Sequence, residues 1–373
     1  MAAFDRLLSV WVVVVVLVAA GCAGGPGSHG ESGDSVFDEL PVGWSELPTP
    51  PEVHTRAAIT WTGELLLVWG GFVYTGAGDK PTEASGFAFD ARVRRWEQMA
   101  TSPLAPRAYP ASAWTGSEFL IWGGSDGRQE RFFDDGAAYD PSTNSWRRLP
   151  QAPIAARAPL SAWTGRELIV WGTTIRVDPR PGDGAAYDPT SDTWRWIADA
   201  PIELTDATAV WTGREMIVFG AALHGGNFPE SPTAIGAAYD PETNTWRELP
   251  DSALSPQAST AAWNGREVIA WDYLNGTAAY DPTPDSWRQL PNVPIDDAEC
   301  IPTSVPLRRY VFGDYCGQLA LYDPAADAWR DISRRKLLRG WGFELVAADP
   351  VVLLLGRNGD TEEERMLAYR PTS

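Results

Sequence analysis

Short apolar runs alternate with turn-forming polar residues along most of this chain. Residues 137–188 hold one full unit of the pattern, in which runs rich in Ala, Val, Ile, Trp and Tyr are separated by turns. Such runs predict β-strands rather than helices. Thr164 and Gly165 divide two of the runs, and glycine there supplies the positive φ that a tight hairpin needs. The unit therefore predicts four consecutive strands.

A tryptophan opens the last strand of each unit and recurs at intervals of 41 to 52 residues. Self-similarity at that period means that each copy is one supersecondary unit, which must stack on its neighbours to bury its apolar faces. We predict that the tryptophan wedges between adjacent sheets, with a sugar-stacking platform as the alternative. The seven positions are Trp44, Trp96, Trp146, Trp194, Trp246, Trp287 and Trp329.

The two ends of the repeat region are incomplete in complementary ways. Tyr369 ends a third strand that no outer strand follows, whereas the outer strand around Trp44 has no third strand before it. Pairing the two closes a ring without leaving open edges. The sequence thus predicts an all-β fold, a seven-bladed β-propeller of four-stranded blades in which the N-terminal strand closes the last blade.

Residues 41–373 resemble the kelch-repeat family of β-propellers. The resemblance rests on Gly70 and Gly71, on Gly123 and Gly124, on residues 139–146 and 239–246, and on the arginines before two inner strands, Arg107 and Arg157. Later blades lack the second glycine of the pair. The resemblance implies a propeller but little about activity, since members of the family range from adaptor proteins to oxidases and epimerases.

The first 40 residues predict export. Val10 begins an apolar run, ending at Ala20, that is too short to span a bilayer, and Gly21 and Cys22 follow it. This resembles the lipobox of bacterial lipoproteins, which implies a signal peptide over 1–21, lipid attachment at Cys22 and a flexible tether over 22–40. A plain secretory signal or an uncleaved anchor is the alternative. We therefore expect the protein to lie at the outer face of a bacterial cell membrane, held by its lipid anchor.

Cysteines and charge refine that expectation. Cys300 precedes the inner strand of the sixth blade and Cys316 follows its second strand, so both fall on one face, where a disulfide would contribute about 3 kcal/mol. Two unpaired thiols are the alternative. The net charge of −19 repels nucleic acid and anionic headgroups, so we predict no nucleic-acid partner and a protein that works in front of the membrane. We also expect a monomer.

Catalytic chemistry is sparse in the sequence. The chain has three histidines, of which His29 lies in the predicted tether, so a His-rich metal site or a His-dependent triad is hard to build. Resemblance to the copper-oxidase branch of the kelch family would imply two His ligands and a Cys cross-linked to Tyr. A Cys300–Cys316 disulfide would leave no cysteine for that cross-link. We therefore predict no metal and no cofactor.

The mouth of the ring is the candidate binding site. Long connections between second and third strands wall one side of it, and an aromatic and arginine lining suits an anionic ligand, such as an acidic sugar, or an extended protein segment. In the alternative, the arginines at the strand starts bond to the backbone of neighbouring blades. The predicted ligand-binding residues are Arg56, Arg107, Arg157, Phe72, Tyr74, Arg131, Phe132 and His224.

Two function classes follow. A surface-anchored binding or scaffold protein is favoured, because no catalytic set is visible. The second class is a metal-independent carbohydrate-active enzyme resembling the propeller epimerases of sialic acid, which could operate with one arginine and one carboxylate. A glycan and organic-acid binding screen followed by turnover assays would separate them.

Overall fold

A computed structural model describes residues 35–73, 82–128, 130–172, 183–222, 233–255, 260–272, 276–294, 303–315, 318–333, 344–357 and 363–372. Within these ranges, no helix is long and apolar enough to cross a bilayer. The strands are β1 (Gly43–Leu47), β2 (His54–Thr55), β3 (Ala58–Trp61), β4 (Leu65–Trp69), β5 (Phe72–Val73), β6 (Gly86–Asp90), β7 (Arg95–Gln98), β8 (Ala111–Trp114), β9 (Phe119–Trp122), β10 (Gly136–Asp140), β11 (Ser145–Arg148), β12 (Leu160–Trp163), β13 (Leu168–Trp171), β14 (Gly184–Asp188), β15 (Thr193–Trp196), β16 (Leu204–Trp211), β17 (Met216–Ala222), β18 (Ile235–Asp240), β19 (Thr245–Glu248), β20 (Thr260–Trp263), β21 (Val268–Trp271), β22 (Thr277–Asp281), β23 (Ser286–Gln289), β24 (Thr303–Leu307), β25 (Tyr310–Tyr315), β26 (Gln318–Asp323), β27 (Ala328–Asp331), β28 (Glu344–Ala348), β29 (Val351–Arg357) and β30 (Glu364–Arg370).

Seven four-stranded antiparallel blades form the ring, and the predicted fold is confirmed. Blade 1 is β3-β4-β6-β7, blades 2 to 6 follow in chain order from β8 to β27, and blade 7 is β28-β29-β30 with β1 as its outer strand. Trp44 pairs with Tyr369 and Leu47 with Met366, so the N-terminal strand closes the last blade. The inner strands contact one another in a closed cycle from β3 through β28 and back to β3.

Each blade has two ends, which define the two faces of the ring. The hairpin face carries the tight turns between first and second strands and between third and fourth strands. The mouth face carries the connections between second and third strands and the crossings from one blade to the next. Each inner strand therefore runs from the mouth face to the hairpin face.

The repeated tryptophan wedges between blades, as predicted. Trp146 of blade 2 lies 5.0 Å from Tyr139 of its own blade and 5.9 Å from Trp69 of blade 1, measured between ring centroids. Its indole N–H donates to the carbonyl of Ala100 in blade 1 at 2.9 Å. The same bond to the preceding blade is made by Trp44, Trp96, Trp194, Trp246 and Trp287.

A polar relay on the hairpin face also joins neighbouring blades, and sequence analysis missed it. Arg147 binds both carboxylate oxygens of Glu118 in its own blade, at 2.6 and 2.7 Å, and Tyr187 and Asp192 of the next blade at 3.2 and 3.0 Å. Burial, together with Asp192, raises the pKa of Tyr187 to about 12, which keeps its hydroxyl protonated as a donor. Equivalent relays centre on Arg195, Arg247 and Arg288.

The paired glycines of the repeat allow one blade to approach the next. The N–H of Gly71 donates to the carbonyl of Arg107 in blade 2 at 2.8 Å, and that of Gly124 donates to the carbonyl of Arg157 in blade 3 at 2.7 Å. The glycines before them, Gly70 and Gly123, also have positive φ, and a Cβ there would lie 2.8 Å from the carbonyl oxygen of Arg107 or 2.7 Å from that of Arg157. Any side chain there would force the backbones apart.

The segment at residues 35–40 packs against the ring, so the predicted tether cannot extend to residue 40. Phe37 is only 1% exposed and stacks on Trp61 with ring centroids 5.3 Å apart. Phe37 and Leu40 belong to the apolar cluster that fills the space between blades 7 and 1. A second element therefore reinforces the junction that β1 closes, and it does so on the hairpin face.

We predict that Phe37→Ala lowers the free energy of unfolding by about 3 to 5 kcal/mol, because truncating a buried phenylalanine loses apolar contact and leaves a cavity. Chemical denaturation of the full chain measures this. Val42→Ala is the matched control, because Val42 is 59% exposed and its truncation should change the stability little. Equal effects of the two substitutions would contradict the packing of Phe37.

Candidate functional site at the mouth of the ring

Two strained residues from adjacent blades meet at the mouth face. Arg56 and Tyr109 precede the inner strands β3 and β8, and both have φ of 57°, a left-handed conformation that non-glycine residues seldom adopt. The N–H of Tyr109 donates to the carbonyl of Arg56 at 2.9 Å. The Arg56 guanidinium carbon lies 6.0 Å from the centroid of the Tyr109 ring. Strain of this kind concentrates at binding and catalytic sites.

Glu344 brings a carboxylate to the same place from blade 7. Its Oε1 accepts the backbone N–H of Arg56 at 2.6 Å. Burial raises the pKa of Glu344, and the charge and the N–H of Arg56 oppose that shift. Three blades thus contribute an arginine, a tyrosine and a carboxylate whose protonation is easier than that of an exposed glutamate.

Aromatic side chains form the wall beside this trio. Phe72 meets Tyr109 edge to face with ring centroids 5.9 Å apart. Phe132 and Phe72, both partly buried, pack on one apolar cluster with Tyr109. Arg131 is exposed, with its guanidinium carbon 5.1 Å from the centroid of the Phe133 ring. This wall therefore offers apolar surface and one solvent-facing cation.

Arg107 lies below the surface of the mouth. Its side chain is fully buried and donates to the carbonyls of Ala105, Gly123 and Asp135 at 3.0 to 3.1 Å. The third guanidinium nitrogen lies 2.8 Å from a carboxylate oxygen of Asp135. The guanidinium carbon is 4.1 Å from the centroid of the Phe133 ring. Arg107 therefore ties together the ends of the second and third strands of its own blade.

Arg157 repeats this arrangement in blade 3. It is fully buried, donates to the carbonyls of Ala155 and Asp183, and lies 2.6 Å from a carboxylate oxygen of Asp183. The expectation that Arg107 and Arg157 face the channel is corrected by this burial. Their guanidinium groups bond within their own blades, and their main-chain carbonyls reach the preceding blade, so their placement is that of structural arginines.

The mouth thus brings together four of the predicted residues, Arg56, Phe72, Arg131 and Phe132, on blades 1 and 2. Tyr74 and His224 lie outside the described residues, as do Cys22, Cys300 and Cys316. Within the described ranges, no group of three His, Cys, Asp or Glu residues is arranged to hold a metal ion.

Sequence analysis missed Tyr109 and Glu344, although one signal was available for the glutamate. Glu344 opens the inner strand of blade 7, at the position that Ala58, Ala111 and Leu160 hold in blades 1 to 3. Blades 4 to 6 have threonine at this position, so a charged residue in blade 7 marks a departure from the rest of the repeat. No comparable signal identifies Tyr109, because its role depends on its backbone conformation.

Comparisons with known proteins agree with the architecture. A family model described as the kelch motif matches residues 106–153. No curated protein sequence matches the chain.

Two solved structures are similar in fold. The structure of YjhT has a TM-score of 0.52 at 16% identity, over 77% of this chain and 99% of that chain. A fungal alcohol oxidase of the AA5 family, in complex with copper, has a TM-score of 0.63 at 14% identity, over 89% of this chain and 77% of that chain. Identities this low support a shared fold alone.

Proposed function

Because the chain is a kelch-repeat β-propeller, we propose that it is an exported, lipid-anchored binding protein that recognises its ligand at the mouth face. The observation that carries the proposal is the meeting of strained Arg56 and Tyr109 with Glu344, beside a partly exposed aromatic wall.

The proposed ligand is anionic and partly apolar, either an acidic carbohydrate or an acidic protein segment. Arg131 and Arg56 supply cationic donors, and Phe72 and Phe132 supply flat apolar surface, the combination that sugars and extended chains use. Tyr74 and His224 remain predicted ligand residues of this proposal. Arg107 and Arg157 would hold the wall in shape without touching the ligand.

The proposed export and anchoring rest on the apolar run that ends at Ala20 and on the cysteine that follows it. Mass spectrometry of the mature N-terminus tests them, with acylated Cys22 as the expected first residue. Cys22→Ser should leave the protein unprocessed or release it from the membrane fraction. An unmodified N-terminus beyond Cys22 would refute the anchor.

Ligand binding is tested with the full chain against a panel of acidic and neutral glycans and organic acids. We expect binding confined to acidic compounds and weakened about tenfold in Arg131→Ala, the loss of one charge-assisted hydrogen bond. Arg166→Ala is the matched control, because Arg166 is 79% exposed on the opposite face. Equal binding of neutral and acidic glycans, or equal loss in both variants, would contradict the proposal.

Glu344 favours a second candidate, a metal-independent carbohydrate-active enzyme. Its partly buried carboxylate, with a raised pKa, could exchange a proton with a bound sugar while Arg56 holds an anionic group. Turnover assays on each compound that binds distinguish the candidates. Activity lost in Glu344→Gln with binding retained would favour the enzyme, and the absence of turnover would favour the binding protein.

The raised pKa of Glu344 also predicts the pH dependence of stability. The folded state holds the Glu344 proton more tightly than the unfolded chain, so this group's contribution is full at low pH and falls as pH rises through the folded pKa. Glu344→Gln removes the loss while retaining an oxygen that can accept the Arg56 N–H. Unfolding measured from pH 4 to 8 should show the variant gaining on the wild type as pH rises, and a constant difference would contradict this.

A further inference from the structure

The N-terminal segment leaves the ring on the hairpin face, opposite the mouth. Ser35 donates through its hydroxyl to the carbonyl of Asp349, in the turn between β28 and β29. Glu39 pairs with Arg94, in the turn between β6 and β7. Arg370 donates to the carbonyl of Leu40 at 2.7 Å. These contacts fix residues 35–40 against the turns of blades 7 and 1.

We infer that the hairpin face of blades 7 and 1 lies against the membrane, with the turn at residues 92–95 on the bilayer surface, so that the mouth opens away from it. The inference rests on the proposed lipid anchor at Cys22.

The number of residues between Cys22 and Ser35 limits how far each face of the ring can lie from the lipid anchor. Ser35 is the thirteenth residue after Cys22, so the intervening chain spans at most about 45 Å when fully extended. A Gly-rich chain of that length has a root-mean-square span of about 20 Å. The mouth face lies further away by the length of an inner strand, roughly 13 to 26 Å for four to eight residues. The hairpin face at blades 7 and 1 is therefore the surface closest to the anchor.

The turn at residues 92–95 differs from its equivalents in other blades. Blades 2 to 6 have Asn or Asp at the left-handed position of this turn, where the side chain accepts a hydrogen bond from the hydroxyl of the blade's own tyrosine. Blade 1 has Phe89 instead of that tyrosine, so the position needs no acceptor, and Arg94 occupies it with φ of 53°. Val93 beside it is 68% exposed, the most exposed of the large apolar residues in the described ranges.

The charges around Val93 suit a bilayer surface. Arg92, Arg94 and Arg95 pair with Glu64, Glu39 and Glu97. Asp90, which accepts the N–H groups of Arg92 and Val93, leaves the turn with one net negative charge in a chain that carries −19. Both partners in each pair are at least 42% exposed, and exposed pairs contribute at most about 1 kcal/mol. The arginines can therefore exchange these carboxylates for lipid phosphates while Val93 enters the headgroup region.

The test uses the full chain with a genetically encoded fluorescent side chain at position 93 or at position 131. Vesicles of phosphatidylcholine and phosphatidylglycerol carry a nitroxide quencher in the headgroup region. We expect much stronger quenching at position 93, on the hairpin face, than at position 131, at the mouth. Equal quenching, or stronger quenching at 131, on vesicle-bound protein would overturn the inference.

A second pair of variants tests the turn itself. With the fluorophore at position 42, the double variant Arg92→Gln, Arg95→Gln should reduce quenching. The matched control, Arg166→Gln with Arg214→Gln, removes two arginines that are 79% and 78% exposed on the turns of blades 3 and 4 and should leave quenching unchanged. Equal effects of the two pairs would refute contact by the turn.

Vesicle flotation and mass spectrometry of the N-terminus report the anchor separately. If the protein floats with acylated Cys22 but quenching is equal at positions 93 and 131, the proposed anchor stands and the inferred orientation is refuted. Protein that carries no acyl group and does not float refutes the anchor, and the orientation with it.

Discussion

Deletion of residues 41–48 is expected to abolish cooperative folding of the ring at ambient temperature. The deletion removes β1, the outer strand of blade 7, whose five residues pair with β30. It also removes contacts with both neighbouring blades. Trp44 donates to the carbonyl of Ile332 in blade 6 at 3.1 Å, and Trp96 of blade 1 donates to the carbonyl of Pro48 at 2.9 Å.

The size of this effect follows from what becomes exposed. Loss of buried Leu47 and of the Trp44 ring, which lies 5.0 Å from Tyr369, costs several kcal/mol for each residue. The deletion also detaches residues 35–40, which pack between blades 7 and 1. The total approaches the 5 to 15 kcal/mol of net stability that a typical domain has.

Thermal unfolding and circular dichroism of the full chain measure the result. Deletion of residues 23–30 is the matched control, because it removes the same number of residues upstream of the packed segment. We expect a melting transition like that of the wild type in the control and none in the 41–48 deletion. Matching transitions in both would show that the ring does not depend on its N-terminal strand.

The propeller could be predicted because its determinants are local and repeated. Each blade carries its own turn residues and its own tryptophan, so the sequence contains seven copies of the same evidence for a four-stranded unit. Residues such as Gly71 and Asn144 occupy left-handed positions that few other residue types tolerate. Even ring closure, a contact between the chain's two ends, followed from counting strands, because Trp44 and Tyr369 each lacked a partner in sequence.

The contacts between blades were less predictable. Glu118 and Arg147 have equivalents at the same positions of other repeats, so an alignment of the repeats would find them. Their pairing within the blade, and the pairing of Arg147 with Asp192 of the next blade, depend on how the blades stack in three dimensions. Phe37 is one apolar residue in a Gly-rich and acidic stretch, so composition favoured a tether. Its burial depends on a gap between blades 7 and 1 that no single repeat encodes.

The candidate site shows the same limit. Arg56 lies two residues before its inner strand, at the position that Tyr109 holds in blade 2, whereas Arg107 and Arg157 lie four and three residues before their inner strands. Arg56 stays partly exposed, whereas Arg107 and Arg157 fold back onto carbonyls at the ends of strands two and three. The position of each arginine relative to its inner strand therefore separates the two outcomes, and that position is known only once the strand bounds are.

Arg157→Ala is expected to destabilise the folded protein by about 3 to 5 kcal/mol, the cost of breaking a buried ion pair and leaving one charge behind. Both side chains of the Arg157–Asp183 pair are buried, at 1% and 6% exposure. Arg107→Ala should cost less, because Asp135 is 37% exposed and water can solvate its carboxylate once the arginine is gone. Denaturant unfolding of the two variants measures this order.

The same variants decide whether these arginines serve the ligand or the fold. Under the structural assignment, Arg157→Ala and Arg107→Ala shift the unfolding midpoint while the protein that remains folded binds acidic compounds with unchanged affinity. Arg131→Ala should do the reverse, since the Arg131 side chain is exposed whereas those of Arg107 and Arg157 are buried. Arg157→Lys adds a control that keeps the charge but lacks the planar fork that reaches two carbonyls at once, so it should recover part of the stability. Weakened binding in Arg107→Ala or Arg157→Ala at unchanged stability would contradict the structural assignment and favour ligand binding by both residues. A buried arginine that holds two strand ends of its blade together cannot be removed without loss of stability.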